Sequence, residues 1–397
     1  MLQGVHPSPL ALWYAMSGNK RALRLATEMV NFLTKPKMWG IEDEPRGMAG
    51  RPERAHWDGH WYGHMTTLRS LLDYAIVTNS PRLKAFVREG YDWARNYGIA
   101  HIGWSENIAG TKPISEYQGC GPARVIALAI KLTDAGVGDY WEDVDQHIRN
   151  MGTELQIVRA DLVQRISAAA PKRNTNRVRA RGGREVSIGD WATTDRVIER
   201  SIGAWGMGWP TVMMRKDGNS MIHACCTSHG NMGLYYAWEA IVRCQDGVAR
   251  VNLLLNRASP WLDLDSHLPY EGKVVIRNKT AKKILVRIPL WVDREAVKSR
   301  VNDDEASADW LGNYLIFEDV SAGDVATIEF PMVETTVKYT VRDDREYTCH
   351  FKGNTLVDIS PRDEEVGYPL FLRDHFKRHK APMKKVARYV SPVTIDW

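Results

Sequence analysis

Cysteine is scarce in this chain, with five in 397 residues: Cys120, Cys225, Cys226, Cys244 and Cys349. So few thiols, so unevenly spaced, exclude the disulfide framework that staples small secreted domains. Long apolar runs are missing as well. No stretch reaches the roughly 20 residues that a membrane span requires, and the opening Met-Leu-Gln-Gly-Val-His-Pro has no basic segment leading into an apolar one. The expectation is a cytoplasmic protein with no membrane partner. Charge of one sign is also lacking. The 53 basic residues are set against 48 acidic ones, a formal +5 that is too mild and too mixed for a nucleic-acid surface.

Length permits more than one domain: 45.1 kDa is enough for two or three units of about 100 to 200 residues each. The first part of the chain reads as helix pairs. Leu10 to Leu33 carries two helical runs broken at Ser17-Gly18-Asn19, Met65 to Tyr97 breaks at Thr78-Asn79-Ser80-Pro81, and Ala123 to Glu154 breaks around Ala135 to Asp139. Recurring helical hairpins predict a solenoid or an α/α toroid with a central pocket. After Arg243 the pattern changes to short strands: Val248–Leu255, Gly272–Arg277, Lys283–Pro289, Asn313–Phe317 and Ala326–Phe330, punctuated by Gly, Pro and Asn-Asp. The predicted class is a multidomain α + β chain. A helical toroid over 1–245 is followed by an antiparallel β-sandwich over 246–340 and a β-rich extension over 341–397.

The most informative local feature is the adjacent pair Cys225-Cys226, just ahead of a helical stretch. Neighbouring cysteines are badly placed to bond each other. They are either two small buried apolar residues or two thiols aimed at one metal or one reaction centre. Glu116 and, four residues later at a helix start, Cys120 offer two further donors, and the four residues together would complete a tetrahedral zinc set. Such an ion would hold thiols as thiolates. Histidines gather at His56, His60 and His64. Their spacing of four places them on one face if the stretch is helical, where His60 and His64 suit hydrogen bonding at a pocket mouth. Fifteen tryptophans, Trp57, Trp104 and Trp191 among them, are compatible with a carbohydrate cleft as well as with a core. Two basic stretches, 171–184 and 376–385, read as solvated surface.

These residues resemble glycoside hydrolase family 127, the β-L-arabinofuranosidase group. The resemblance rests on Ala224-Cys225-Cys226-Thr227-Ser228-His229-Gly230-Asn231 and the helical run after it, Ile202-Gly203-Ala204-Trp205, the segment from Glu116 to Cys120, His60-x-x-x-His64, and Val286-Arg287-Ile288-Pro289-Leu290-Trp291. It implies an (α/α)6-type barrel with β-sandwich domains, here shortened at its N-terminal side. It further implies a retaining glycosidase in which Cys225 is nucleophile and zinc ligand, Cys226, Cys120 and a glutamate complete the zinc site, Glu106 is the general acid/base, and His64 contacts substrate. The family places its zinc-binding glutamate two residues before the cysteine, where this chain has Gln118; Glu116 lies two residues further upstream. The implied partner is an oligo- or polysaccharide, with a second copy of the chain as the protein partner to consider. The competing expectations are a non-catalytic carbohydrate-binding relative, and a toroidal polysaccharide lyase or uronyl hydrolase working without Cys225.

Overall fold

The computed structural model describes residues 2–35, 59–109, 115–170, 177–179, 185–187, 195–214, 222, 224–306, 309–341, 345–362, 365, 367–391, 393–395 and 397. Its helices are α1 (Pro7–Ser17), α2 (Lys20–Leu33), α3 (Trp61–Val77), α4 (Pro81–Ala94), α5 (Gly121–Asp134), α6 (Trp141–Arg149), α7 (Met151–Glu154), α8 (Ala160–Ala169), α9 (Val197–Ser201) and α10 (Ala224–Ile241). The three predicted hairpins are the pairs α1/α2, α3/α4 and α5/α6, broken at the turn signals. At the first break Gly18 takes a left-handed φ of 69°, and the Asn19 side chain caps α2 by accepting from the Arg21 and Ala22 amides. At the second, Ser80 caps α4 ahead of Pro81.

α3 and α5 run through the middle of this helical part. Both are buried along most of their length, and α5 is flanked by α3, α6 and α10. Small residues set the closest approach. A Cβ on Gly233 of α10 would come within 2.7 Å of the Ala123 Cβ on α5, so these two helices touch nearly backbone to backbone.

The strands follow from Val242. Residues Val242–Gln245 continue directly out of α10 and pair with Val248–Val251 in a five-stranded sheet completed by Lys283–Arg287, Tyr314–Phe317 and Asp309–Leu311. A six-stranded antiparallel sheet holds Arg257–Ala258, Leu262–Ser266, Lys273–Asn278, Val325–Glu329, Lys298–Val301 and Asp304–Glu305. Alternate residues of both sheets, such as Val274, Ile276, Ile284, Val286 and Leu315, join one hydrophobic core continuous with the helices. One pairing departs from the antiparallel expectation: Val248–Val251 runs parallel to Lys283–Arg287. The chain leaves to build three strands of the other sheet between them, and such an excursion lets it return in the same direction.

A third, three-stranded sheet (Glu334–Thr340, Glu346–Lys352, Thr355–Ser360) begins ahead of position 341. After Ser360 the described residues in regular structure are a short strand at Tyr368–Pro369 and a 3-10 turn at Asp374–Lys377. The sheet is tied to the helices by a buried polar cluster. Asn150, between α6 and α7, donates to the Asn354 carbonyl at 2.9 Å and accepts from the Leu356 amide at 2.9 Å. Asn354 donates to Glu142 and Asp145 at 2.6 and 2.9 Å, and Arg373, 6% exposed, pairs with Glu154 at 2.6 Å. Every partner here closes a bond that burial would otherwise leave open.

Candidate active site

A short strand acts as the template for the site. Met207–Gly208 pairs with Tyr117–Gln118 on one side, while Gly206 bridges to Ile222 and receives the Gly119 amide on its carbonyl at 3.1 Å. The loop entering α5 and the segment entering α10 are therefore held against the same few residues. Trp205 completes the wedge. It is fully buried, its indole N–H donates to the Gly152 carbonyl at 3.1 Å, and its main-chain N–H donates to Thr227 Oγ1 in the first turns of α10.

This packing brings three of the expected thiols together. Cys120 precedes α5, and Cys225 and Cys226 lie in the first turn of α10. Cys120 and Cys226 are buried while Cys225 is exposed. The hydrogen bond with Cys226, reinforced by burial, pushes the Cys120 thiol well up, and Cys225 adds to the effect. Partial shielding and the adjacent Cys226 also raise Cys225. Left to themselves, these groups stay protonated at neutral pH.

Gln118 sits over the cluster. Its Oε1 accepts from His60 Nε2 at 3.1 Å and from Cys120 Sγ at 3.4 Å. His60 is the residue before α3 rather than part of it, so it does not share a helical face with His64, which is buried within the first turn. Burial lowers the His60 pKa, keeping the ring neutral with its Nε2 proton on Gln118. His56, Trp57 and Trp191 lie outside the described residues, as does most of the basic stretch 171–184.

Glu106 is 1% exposed; its amide donates to the Tyr97 carbonyl, and the next residue, Asn107, donates its amide to the Glu116 carbonyl. The Glu116 side chain is half-buried. Trp104, for which the sequence left cleft and core both open, is 1% exposed with its indole N–H donated to the Gly208 carbonyl at 3.0 Å, so it packs as core.

Three residues at the site were not singled out from the sequence. Arg124, one turn beyond Cys120, donates from Nε and Nη2 to the Tyr62 hydroxyl at 3.1 and 2.8 Å. Tyr62 in turn lies 3.3 Å from His229 Nε2, whose Nδ1 donates to the Cys225 carbonyl at 2.8 Å. Burial and the Arg124 charge lower the His229 pKa. The signal was the helical spacing of four: Cys120 to Arg124, and Cys225 to His229.

The donor types suit a thiophilic dication such as zinc. The positions are not pre-assembled: among the described residues no three His, Cys, Asp or Glu side chains form a ready cage, and besides Cys226 a carboxamide, Gln118, contacts Cys120.

No protein-family model and no curated protein matches the sequence. Solved structures do match the fold. A GH127 β-arabinofuranosidase superposes with a TM-score of 0.60 at 12% identity, covering 88% of this chain and 55% of its own. A GH127 β-L-arabinofuranosidase from Geobacillus stearothermophilus T6 gives 0.55 at 13%, covering 87% and 57%, and a structure described as a glycoside hydrolase gives 0.58 at 14%, covering 88% and 59%. The chain spans somewhat more than half the length of these structures and shares with them its fold, a helical part followed by antiparallel sheets.

Proposed function

We propose that the chain is a retaining glycoside hydrolase of the GH127 type, acting on an oligo- or polysaccharide through the cysteine cluster, with the helical part belonging to an (α/α)-type ring and the two larger sheets to a β-sandwich. The observation that carries this is the meeting of Cys120 with Cys225 and Cys226 from the starts of two different helices. It is supported by the shared fold.

Cys225 is the exposed thiol of the three and therefore the one a sugar can reach. As nucleophile it forms a bond to the anomeric carbon while the bond to the leaving oxygen breaks, and Glu106 in its acid form gives that oxygen a proton. Glu106 then takes a proton from water, whose oxygen displaces the sulfur; two inversions give net retention. Cys120, Cys225 and Cys226, with Glu116 or Gln118 as fourth donor, would hold zinc, which when bound keeps the thiols ionised at neutral pH. His60, fixed on Gln118, and His64 are assigned to substrate contact. The test is hydrolysis of an aryl β-L-arabinofuranoside by the chain and by Cys225→Ala, with the zinc-to-protein ratio measured on both. Loss of turnover on removing the thiol is expected; undiminished turnover would overturn the nucleophile assignment.

Gln118 favours a second reading, a carbohydrate-binding relative without turnover, because a neutral amide supplies less charge to a dication than the carboxylate it replaces. It predicts sugar binding with no zinc and no hydrolysis.

A further inference from the structure

We infer that Arg124 recognises a carboxylate on the bound sugar, so that the site takes an acidic, uronate-type glycan rather than a wholly neutral one. The inference rests on the carbohydrate-site reading above for its location and names its substrate class.

The argument starts from charge. Among the described residues, several shielded arginines are paired: Arg149 with Asp145 at 2.7 Å, Arg243 with Glu239 at 2.6 Å, Arg287 with Glu142 at 3.0 Å and Arg373 with Glu154 at 2.6 Å, while the half-buried Arg69 lies between two rings, 5.5 Å from Tyr236 and 5.2 Å from Trp397. Arg257, with no carboxylate ion pair among the described residues, instead donates to the Glu239 and Val242 carbonyls and lies over the Trp238 ring. Arg124 is half-buried, and among the described residues it has neither an acidic partner nor a carbonyl. Its bonds go to one neutral hydroxyl, Tyr62, whose ring lies 5.2 Å from the guanidinium carbon. A shielded cation without a counter-charge is costly unless something supplies one.

Geometry says what that something is. Tyr62 occupies the Nε and Nη2 edge, leaving Nη1 and the second Nη2 proton as a parallel pair of donors, the arrangement that matches the two oxygens of a carboxylate. Tyr62 and His229 hold the fork in place through the chain of bonds that ends on the Cys225 carbonyl. The ligand's anion is thereby held next to the proposed nucleophile.

The test titrates the full chain with galacturonate and glucuronate, each against its neutral counterpart, galactose or glucose, by calorimetry. Uronates are expected to bind about tenfold tighter, the worth of a charge-assisted bidentate contact. Arg124→Gln should remove the difference, and Arg124→Lys, which keeps the charge but not the fork, should restore part of it. Equal binding of acid and neutral sugars overturns the inference, as does a preference that survives in a folded Arg124→Gln. The same outcome holds if that variant loses only zinc, which would make the thiolates the arginine's partner. Because binding needs no turnover, the readings separate: uronate preference without hydrolysis sinks only the glycosidase, and Cys225-dependent hydrolysis without the preference sinks only the carboxylate site.

Discussion

Gly230 lies flat against Trp205: a Cβ at that position would stand 2.3 Å from the indole Cδ2. Because Trp205 is anchored by its N–H on Gly152, the helix rather than the ring must yield. Gly230→Ala should therefore destabilise the fold by about 1 to 3 kcal/mol and push the start of α10, with Cys226, away from Cys120. Chemical denaturation reads the first effect. The yield of a Cys120–Cys226 cross-link under mild oxidation reads the second, and an unchanged yield would show that Trp205 does not set the spacing.

Gln118→Glu places a carboxylate where Oε1 already contacts both His60 and Cys120. Zinc affinity should rise by about tenfold or more, measured by competition with a chelator. Glu116→Gln in parallel should lower it only if Glu116 is the fourth donor; no change in either variant would move the metal elsewhere.

Cys225 is exposed, Cys244 intermediate, and Cys120, Cys226 and Cys349 buried. Alkylation of the native, metal-stripped protein should label Cys225 first, more slowly than a free thiol because its pKa is raised. Peptide mapping by mass spectrometry gives the order, and early labelling of Cys120 would contradict the packing.

Among the described residues, His60, His101, His147, His229 and His375 are held below their ordinary pKa with burial as the main cause. His101 reaches about 4; it stacks on Phe351 at 3.8 Å and bonds Tyr339, joining the helices to the third sheet. The unfolded chain takes up protons first, near pH 6.5, so stability is full above that value and falls as pH drops toward the folded pKa. For His101 the slope is up to about 1 kcal/mol per pH unit. Urea unfolding at pH 7, 6 and 5 should show the decline, and His101→Phe should flatten it.

Arg373 pairs with Glu154 and donates to the Leu356 and Arg149 carbonyls in a buried setting. Arg373→Ala leaves the carboxylate without its counter-charge and should cost about 3 kcal/mol or more. Double replacement with Glu154→Gln should recover part of that loss, by thermal unfolding.

Sequence by itself determined what depends on neighbours in the chain. Turn triplets such as Ser17-Gly18-Asn19 broke the helical runs where the hairpins break, because caps and left-handed glycines act within a few residues. The alternation in Gly272–Arg277 marked a strand half-buried by its own period. The cysteine pair drew attention by its rarity.

Only tertiary structure decided which of those residues meet. The close approach of Gly233 to Ala123 and the shared strand at Gly206–Gly208 bring Cys120 to Cys226, contacts between segments far apart in the chain that no local pattern encodes. The same packing turned Trp104 into core, placed His60 outside the helix of His64, and set Arg124, Tyr62 and His229 in one line beside the thiols. Burial and charge neighbourhood are properties of the assembled fold, and at this site they decide which side chains face solvent.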